Sequence, residues 1–219
     1  GNISVAPGGK SIIFNAILST INPGDEVIIP APYWVSYPDI VKLAGGNPVI
    51  IETSPDNNFK ISPDNLEKNI TEKTKWLFIN SPSNPTGQVY SKAELIDLAE
   101  IIKKHKNLYI LSDDIYEYIR YQNNERFYTI AELDEEIFSR TLTMNGVSKA
   151  YSMTGWRIGY CGGPIEIINA MRKLMGQSTS NPSSISQWAT VEALNGSKDF
   201  LNLWIESFKE RRDFIVNYL

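Results

Sequence analysis

Trp76-Leu77-Phe78-Ile79-Asn80, then Ser91-Lys92-Ala93-Glu94 opening a segment that runs to about His105, then Leu108-Tyr109-Ile110-Leu111-Ser112: this stretch decides the fold. The first and last pieces are short apolar runs, the length and composition of buried strands. Between them Ser91 and Glu94 make a capping box, in which the serine takes a first-turn N–H and the glutamate reaches back to the serine's own N–H. Strand, helix, strand is the order. The same alternation of short apolar runs with amphipathic segments continues in both directions, which reads as an α/β fold with a mostly parallel central sheet flanked by helices.

Upstream, Ser11 to Ile21 reads as a helix with Ile12, Ile13, Ala16, Ile17 and Thr20 near one face, stopped by Asn22-Pro23-Gly24-Asp25. Glu26 to Pro30 is a strand, Ser36 to Ala44 a helix ended by Gly45-Gly46, and Pro48 to Glu52 the next strand. Ser62-Pro63-Asp64 opens another helix, with proline in its first turn. Downstream, Gln122 to Glu136 is polar and reads as a long connection, followed by strands at Thr141 to Asn145 and Arg157 to Cys161. From Pro164 the pattern is helical, including Ile185 to Leu194 and a long final segment from Asp199. No linker, repeat or low-complexity stretch interrupts it. Polar clusters fall where strands end, which is where open α/β sheets bind ligands.

Composition narrows the function. With 219 residues, 42% of them hydrophobic, the chain can bury a sizeable core. No run approaches the roughly 20 apolar residues of a membrane span. Gly1 to Ala6 shows neither a basic region nor a hydrophobic signal core, so nothing suggests export. A single cysteine, Cys161, leaves no internal disulfide and fits a reducing compartment, so a cytoplasmic location is expected. The net charge is −4, from 21 basic and 25 acidic residues, and the longest basic run is Lys103-Lys104-His105-Lys106. That run reads as the polar end of a helix, where cations favour the dipole. Neither nucleic acid nor a membrane is an expected partner. The only histidine, His105, sits in that run and reads as solvated, which argues against a Ser-His-Asp triad and a multi-histidine metal site.

The chemistry lies in Ser148-Lys149-Ala150-Tyr151-Ser152-Met153-Thr154-Gly155-Trp156-Arg157. A lysine outside an ordinary helix face can lose its proton and condense with an aldehyde, and an arginine nearby offers a fork suited to phosphate. An aldehyde carrying a phosphate describes pyridoxal 5′-phosphate (PLP). Two surface cations would satisfy the same local pattern, so other segments must decide. Gly8-Gly9-Lys10 precedes a helix, whose free N–H groups and positive dipole end suit a phosphate. Gly-Lys-Ser at 9–11 is not a Walker A loop, because Ser4 stands where that motif needs glycine. Trp34 follows a strand end, where an indole stacks on a flat heteroaromatic ring or simply joins the core, the role expected of the other four tryptophans. Asn80 to Gly87 is either a rigid turn or a device that fixes the Asn84 amide. Asp113 and Asp114 are adjacent carboxylates, which could suggest a divalent metal. On an extended segment they point to opposite sides, so only one faces a common site and no metal is expected. A carboxylate facing a pyridine nitrogen would keep it protonated.

Taken together, these five motifs, in their order along the chain from Gly8 to Tyr160, resemble those of class I aminotransferases, nearest to the bacterial aspartate aminotransferase subgroup, some of whose members also use prephenate or aromatic amino acids. The resemblance runs from Gly8 nearly to the C-terminus, Gln177 to Trp188 included. It implies a PLP-dependent enzyme of fold type I that exchanges an amino group between an L-amino acid, aspartate foremost, and a 2-oxo acid, 2-oxoglutarate foremost. Lys149 would then be the Schiff-base lysine and proton shuttle, Asp113 the partner of the pyridine nitrogen, and Tyr116 and Asn84 the donors to the phenolic oxygen. Trp34 would stack on the ring, and Arg157, Gly8, Gly9, Lys10 and Ser148 would hold the phosphate. Trp34 and Asn84 would also touch substrate. The family forms homodimers, so association is expected.

The chain departs from the family pattern at two positions. Ser11 stands where the subgroup more often has glutamine, and Gly146 where some relatives carry a serine phosphate ligand. Family members are also much longer. Residues 1–219 would therefore be the PLP-binding large domain, truncated at the N-terminus, with the C-terminal helix leading toward an absent small domain. The arginine that grips the substrate α-carboxylate would lie outside the chain, and Arg211 and Arg212 read as surface charges on a helix. The same cofactor site serves C–S lyases, and a catalytically silent PLP-binding fragment is the alternative from a different class.

Overall fold

Alternate residues of the central strands face opposite ways, and both sets are apolar. Val27, Ile29, Trp76, Phe78 and Leu111 pack into one core cluster, whereas Ile28, Leu77, Ile79 and Ile110 pack into another. A sheet so built must be covered on both faces, as parallel sheets are. The computed structural model describes residues 1–121 and 126–219. Its strands are β1 (Ile3–Ala6), β2 (Glu26–Pro30), β3 (Asn47–Ile51), β4 (Thr74–Asn80), β5 (Tyr109–Asp113), β6 (Thr141–Gly146) and β7 (Gly159–Gly162). They form one sheet in the order β1-β7-β6-β5-β4-β2-β3. From β3 to β6 the pairings are parallel, and those of β7 with β6 and β1 are antiparallel.

On one face lie α1 (Gly9–Thr20), α2 (Ser36–Leu43) and α6 (Ile165–Gly176), through Ile12, Ile13, Ile17, Ile40, Val41 and Ile168. On the other lie α3 (Pro63–Asn69), α4 (Lys92–Lys103) and α5 (Glu135–Ser139), through Leu66, Leu95, Leu98, Ile102 and Ile137. The Ser91 capping box forms as expected, with Ser91 N–H on Glu94 at 2.7 Å and Glu94 N–H on Ser91 at 3.3 Å. A third cluster joins Val147, Ala150, Tyr151 and Ile158 to Leu201 at the start of α8 (Asp199–Tyr218), with α7 (Ser184–Asn195) alongside. No helix among the described residues is long and apolar enough to cross a membrane.

Several sequence-level expectations need correction. The edge strand β1 is an addition: it is four residues long, half of it exposed or nearly so, and its antiparallel partner lies far along the chain. The polar connection expected across Gln122 to Glu136 falls partly outside the described residues. Within it, a short 3-10 turn at Ile130–Glu132 precedes α5, which Asp134 caps by accepting the Glu136 and Ile137 N–H groups. Of the four tryptophans assigned to the core, Trp76 is fully buried, but Trp156 and Trp188 are 44% and 74% exposed. Side-chain type alone misplaces them. His105 is half-buried rather than solvated, and Arg140 donates to its backbone carbonyl at 2.7 Å.

Candidate active site

The candidate residues come from strand ends and one helix start. Gly8, at φ 92°, caps α1 and offers no side chain to its first turn, which also carries no acidic residue. The Ser11 N–H turns back to the Gly8 carbonyl at 3.1 Å, which leaves the Gly9 and Lys10 N–H groups at the positive end of the helix, where an anion is favoured. Arg157 stands over this point in the left-handed backbone region at φ 54°, its guanidinium donating to the Thr154 carbonyl at 2.9 Å. A Cβ on Gly8 would run into that guanidinium. Strand β7 abuts the same turn so closely that a Cβ on Gly159 would lie 2.5 Å from the Gly9 nitrogen. The departure at Gly146 has a similar cause: a Cβ there would meet the Ile158 carbonyl at 2.8 Å, leaving no room for a serine.

Strand β5 delivers the carboxylates. Asp113 continues the side of Leu111, toward α1 and α2, and is buried. Tyr37 donates its hydroxyl proton to Asp113 Oδ2 at 2.5 Å, and the Ile115 N–H donates to Oδ1 at 3.3 Å. Burial pushes the Asp113 carboxyl up to about 6, outweighing these two hydrogen bonds and the nearby Lys149 charge, all of which pull it down. Burial likewise raises Tyr37 well above the ordinary phenol range, and the Asp113 charge adds to it. Asp114 turns the other way. It accepts from the Ser112 hydroxyl at 2.7 Å, lines a separate cavity of about 480 Å³ with Thr129 and Thr143, and is pushed by burial up to about 7.

The walls follow β2, β4 and β6. Trp34 sits after β2, its ring edge-to-face with Tyr37 at 5.4 Å, and the Lys10 ammonium lies 4.9 Å from its ring centroid. Lys10 is thus on the Trp34 side of the cleft. At the end of β4, Asn80 fixes the following loop: its Oδ1 accepts the Asn84 N–H at 2.7 Å and its Nδ2 donates to the Asp113 carbonyl at 2.8 Å. After β6, Ser148 is buried and Lys149 is exposed, with the ammonium 5.7 Å from the Tyr116 ring centroid.

Of the ten cofactor-binding candidates, Gly9, Lys10, Trp34, Asn84, Asp113, Tyr116, Ser148, Lys149 and Arg157 line one cavity of about 330 Å³. Gly8 lies just outside its wall, beneath Arg157. Ile13, Tyr37, Asn80, Ile115, Met144 and Thr154 also line it without having been site candidates from sequence, and of these the Tyr37 and Asn80 side chains make the hydrogen bonds described above. The donor set fits PLP: a side-chain-free helix start with a guanidinium for phosphate, an indole face for a flat ring, a buried carboxylate for a ring nitrogen, and a primary amine. Among the described residues, no group of three or more His, Cys, Asp or Glu is placed to hold a metal.

A family model described as aminotransferase class I and II matches residues 1–219. The aspartate/prephenate aminotransferase of Cereibacter sphaeroides is 53% identical over 217 residues, covering 99% of this chain and 54% of that protein. The aspartate aminotransferase of Rhizobium meliloti is 52% identical over 217 residues, covering 99% and 53%. The crystal structure of the Rhizobium meliloti aspartate aminotransferase superposes with a TM-score of 0.96 at 52% identity, over 99% of this chain and 54% of that one. The Thermus thermophilus enzyme with maleate gives 0.93 at 43% identity, over 99% and 56%. These neighbours share the fold type I architecture. The chain spans about half the length of the relatives it matches.

Proposed function

We propose that this chain, which belongs to the class I and II aminotransferase family, is through residues 1–219 the PLP-binding large domain of an enzyme that moves an amino group from L-aspartate to 2-oxoglutarate. Members of the family depend on PLP, which when bound supplies an electron sink for the substrate carbon that carries the amino group. The chain's own residues then have separable tasks. The Lys149 amine would hold the cofactor through its aldehyde and would be the base that moves a proton at the substrate α-carbon. The Asp113 carboxylate would hold a proton on the ring nitrogen, and Asn84 and Tyr116 would donate to the phenolic oxygen. Trp34 would cover one face of the ring and exclude water from it. Arg157, Ser148, Lys10 and the α1 start would hold the phosphate. Trp34 and Asn84 also border the place where substrate enters.

The observation that carries this reading is the meeting of Lys149, Asp113, Trp34 and Arg157 in one cavity, although the chain delivers them from separate loops. A homodimer in the cytoplasm is part of the proposal. The test is amino transfer by the PLP-loaded protein from aspartate to 2-oxoglutarate, followed as oxaloacetate formed. Prephenate is the second acceptor to try, because relatives carry it in their names. PLP bound without transfer from any amino donor would leave a binding module in place of an enzyme.

A further inference from the structure

We propose that Tyr37 is a positioning residue that sets two sides of the cofactor slot together, its hydroxyl fixing Asp113 and its ring fixing Trp34. The inference rests on the PLP reading above. Tyr37 lies in the first turn of α2, is 3% exposed, and reaches a carboxylate 76 residues away. Its hydroxyl holds Asp113 Oδ2 while Ile115 N–H holds Oδ1, so both oxygens are engaged and the carboxylate plane cannot turn freely. Its ring is edge-to-face with Trp34 at 5.4 Å and with Phe78 at 5.1 Å. Phe78, on β4, is 2% exposed and belongs to the packed core, so it anchors the row. Trp34, which begins no regular element, takes its position from that row.

The chemistry of the hydrogen bond gives it a direction. An O–H donor favours the ionised carboxylate, and only the ionised form holds a proton on a ring nitrogen. The other groups that bear on Asp113 are Lys149, after β6, whose charge favours ionisation, and its backbone neighbour Asp114, which couples to it from the opposite side of the strand. Tyr116 couples to Tyr37. Tyr37 is the one of these that donates a hydrogen bond straight to the carboxylate. A tyrosine kept only for packing would place the same ring in the same core, but the effect of losing its hydroxyl would then not depend on the ring nitrogen of the ligand.

The experiment titrates the purified protein with PLP and with its 1-deaza analogue, which has carbon in place of the ring nitrogen, and follows absorbance and the induced circular dichroism of the bound ring. Tyr37→Phe should weaken PLP about tenfold, the loss expected for one hydrogen bond to a charged group. It should leave the analogue's affinity and the dichroism unchanged. Tyr37→Leu should weaken both ligands and reduce the dichroism. Equal PLP affinity in wild type and Tyr37→Phe would overturn the assignment, and so would equal losses for PLP and the analogue. Wild-type protein that binds neither ligand would overturn the PLP reading itself and this inference with it. Should Tyr37→Leu fail to fold, the Tyr37→Phe and Asp113→Asn double-mutant cycle decides: coupled losses support the pair, and additive ones refute it.

Discussion

Replacing Gly159 by alanine tests the packing that shapes the phosphate end of the cleft. The added Cβ would stand 2.5 Å from the Gly9 nitrogen, 2.6 Å from the Gly8 carbonyl carbon and 2.9 Å from the Gly9 Cα. All three are backbone atoms, so no side chain can swing away. Ordinary contacts between such atoms lie near 3.5–4.0 Å, so β7 and the start of α1 must part by about 1 Å. Overpacking of this kind costs about 1–3 kcal/mol, which lowers the melting temperature by roughly 2–4 °C per kcal/mol in a chain of this size. The larger consequence is local. A displacement of about 1 Å moves the first-turn N–H groups away from the phosphate, and errors of that size cost up to about a hundredfold in positioned sites. The assay is thermal unfolding beside titration with PLP and with pyridoxal, which lacks the phosphate. Gly159→Ala should weaken PLP at least tenfold more than pyridoxal, whereas Gly155→Ala, with open space around its Cβ, should match wild type. Unchanged PLP affinity, or equal losses for both ligands, would refute the reasoning.

Further outcomes follow from the two carboxylates. Asp113→Asn should lower transamination at least tenfold, the value of a charge-assisted hydrogen bond of about 1.5–3 kcal/mol, while Asp114→Asn stays within about threefold. Equal, mild losses would make both residues structural. Stability should also depend on pH through Asp114, whose carboxyl burial raises from 3.8 to about 7. The folded chain then holds a proton that the unfolded chain releases, so this contribution is present at low pH and is lost as pH rises through about 7. Asp113, at about 6, adds to the same decline in the ligand-free protein. Urea midpoints at about pH 5 and pH 7.5 should therefore fall less in Asp114→Asn than in wild type, and parallel declines would contradict the buried-acid account. Lys149→Ala should abolish transfer yet retain PLP binding in equilibrium dialysis, because the ring and phosphate contacts survive. Loss of all binding would show that the lysine is the main anchor.

The sequence made the strand ends legible because period-two alternation decides which way each residue points. Asp113 and Asp114 separated onto opposite faces for that reason, before any contact was known. Lys149 and Arg157 were legible only in combination, since two surface cations satisfy the same local pattern and the other strand-end motifs had to decide. Tyr37 was not. It falls within the helix read across Ser36 to Ala44, and a buried tyrosine ordinarily means core. The carboxylate it contacts lies on another element, so no local signal announces the pair. Asn80 was read as the end of a strand, but its two amide atoms serve two different loops, which only the folded geometry reveals. Trp156 and Trp188 failed in the opposite way, because residue type predicts burial only on average. The glycine at 146 looked like a missing ligand and is instead required by the Ile158 carbonyl beside it.

The central claim is that Lys149 is the amine that engages the cofactor, and it can be read directly. PLP is added to the protein, borohydride is used to fix any carbon–nitrogen bond, and the digested peptides are mapped by mass. Lys10 is the informative competitor, since it lines the same cavity, and Lys173 on α6 serves as the surface control. The account predicts one pyridoxyl group, on Lys149. Preferential labelling of Lys10 or Lys173 would contradict it.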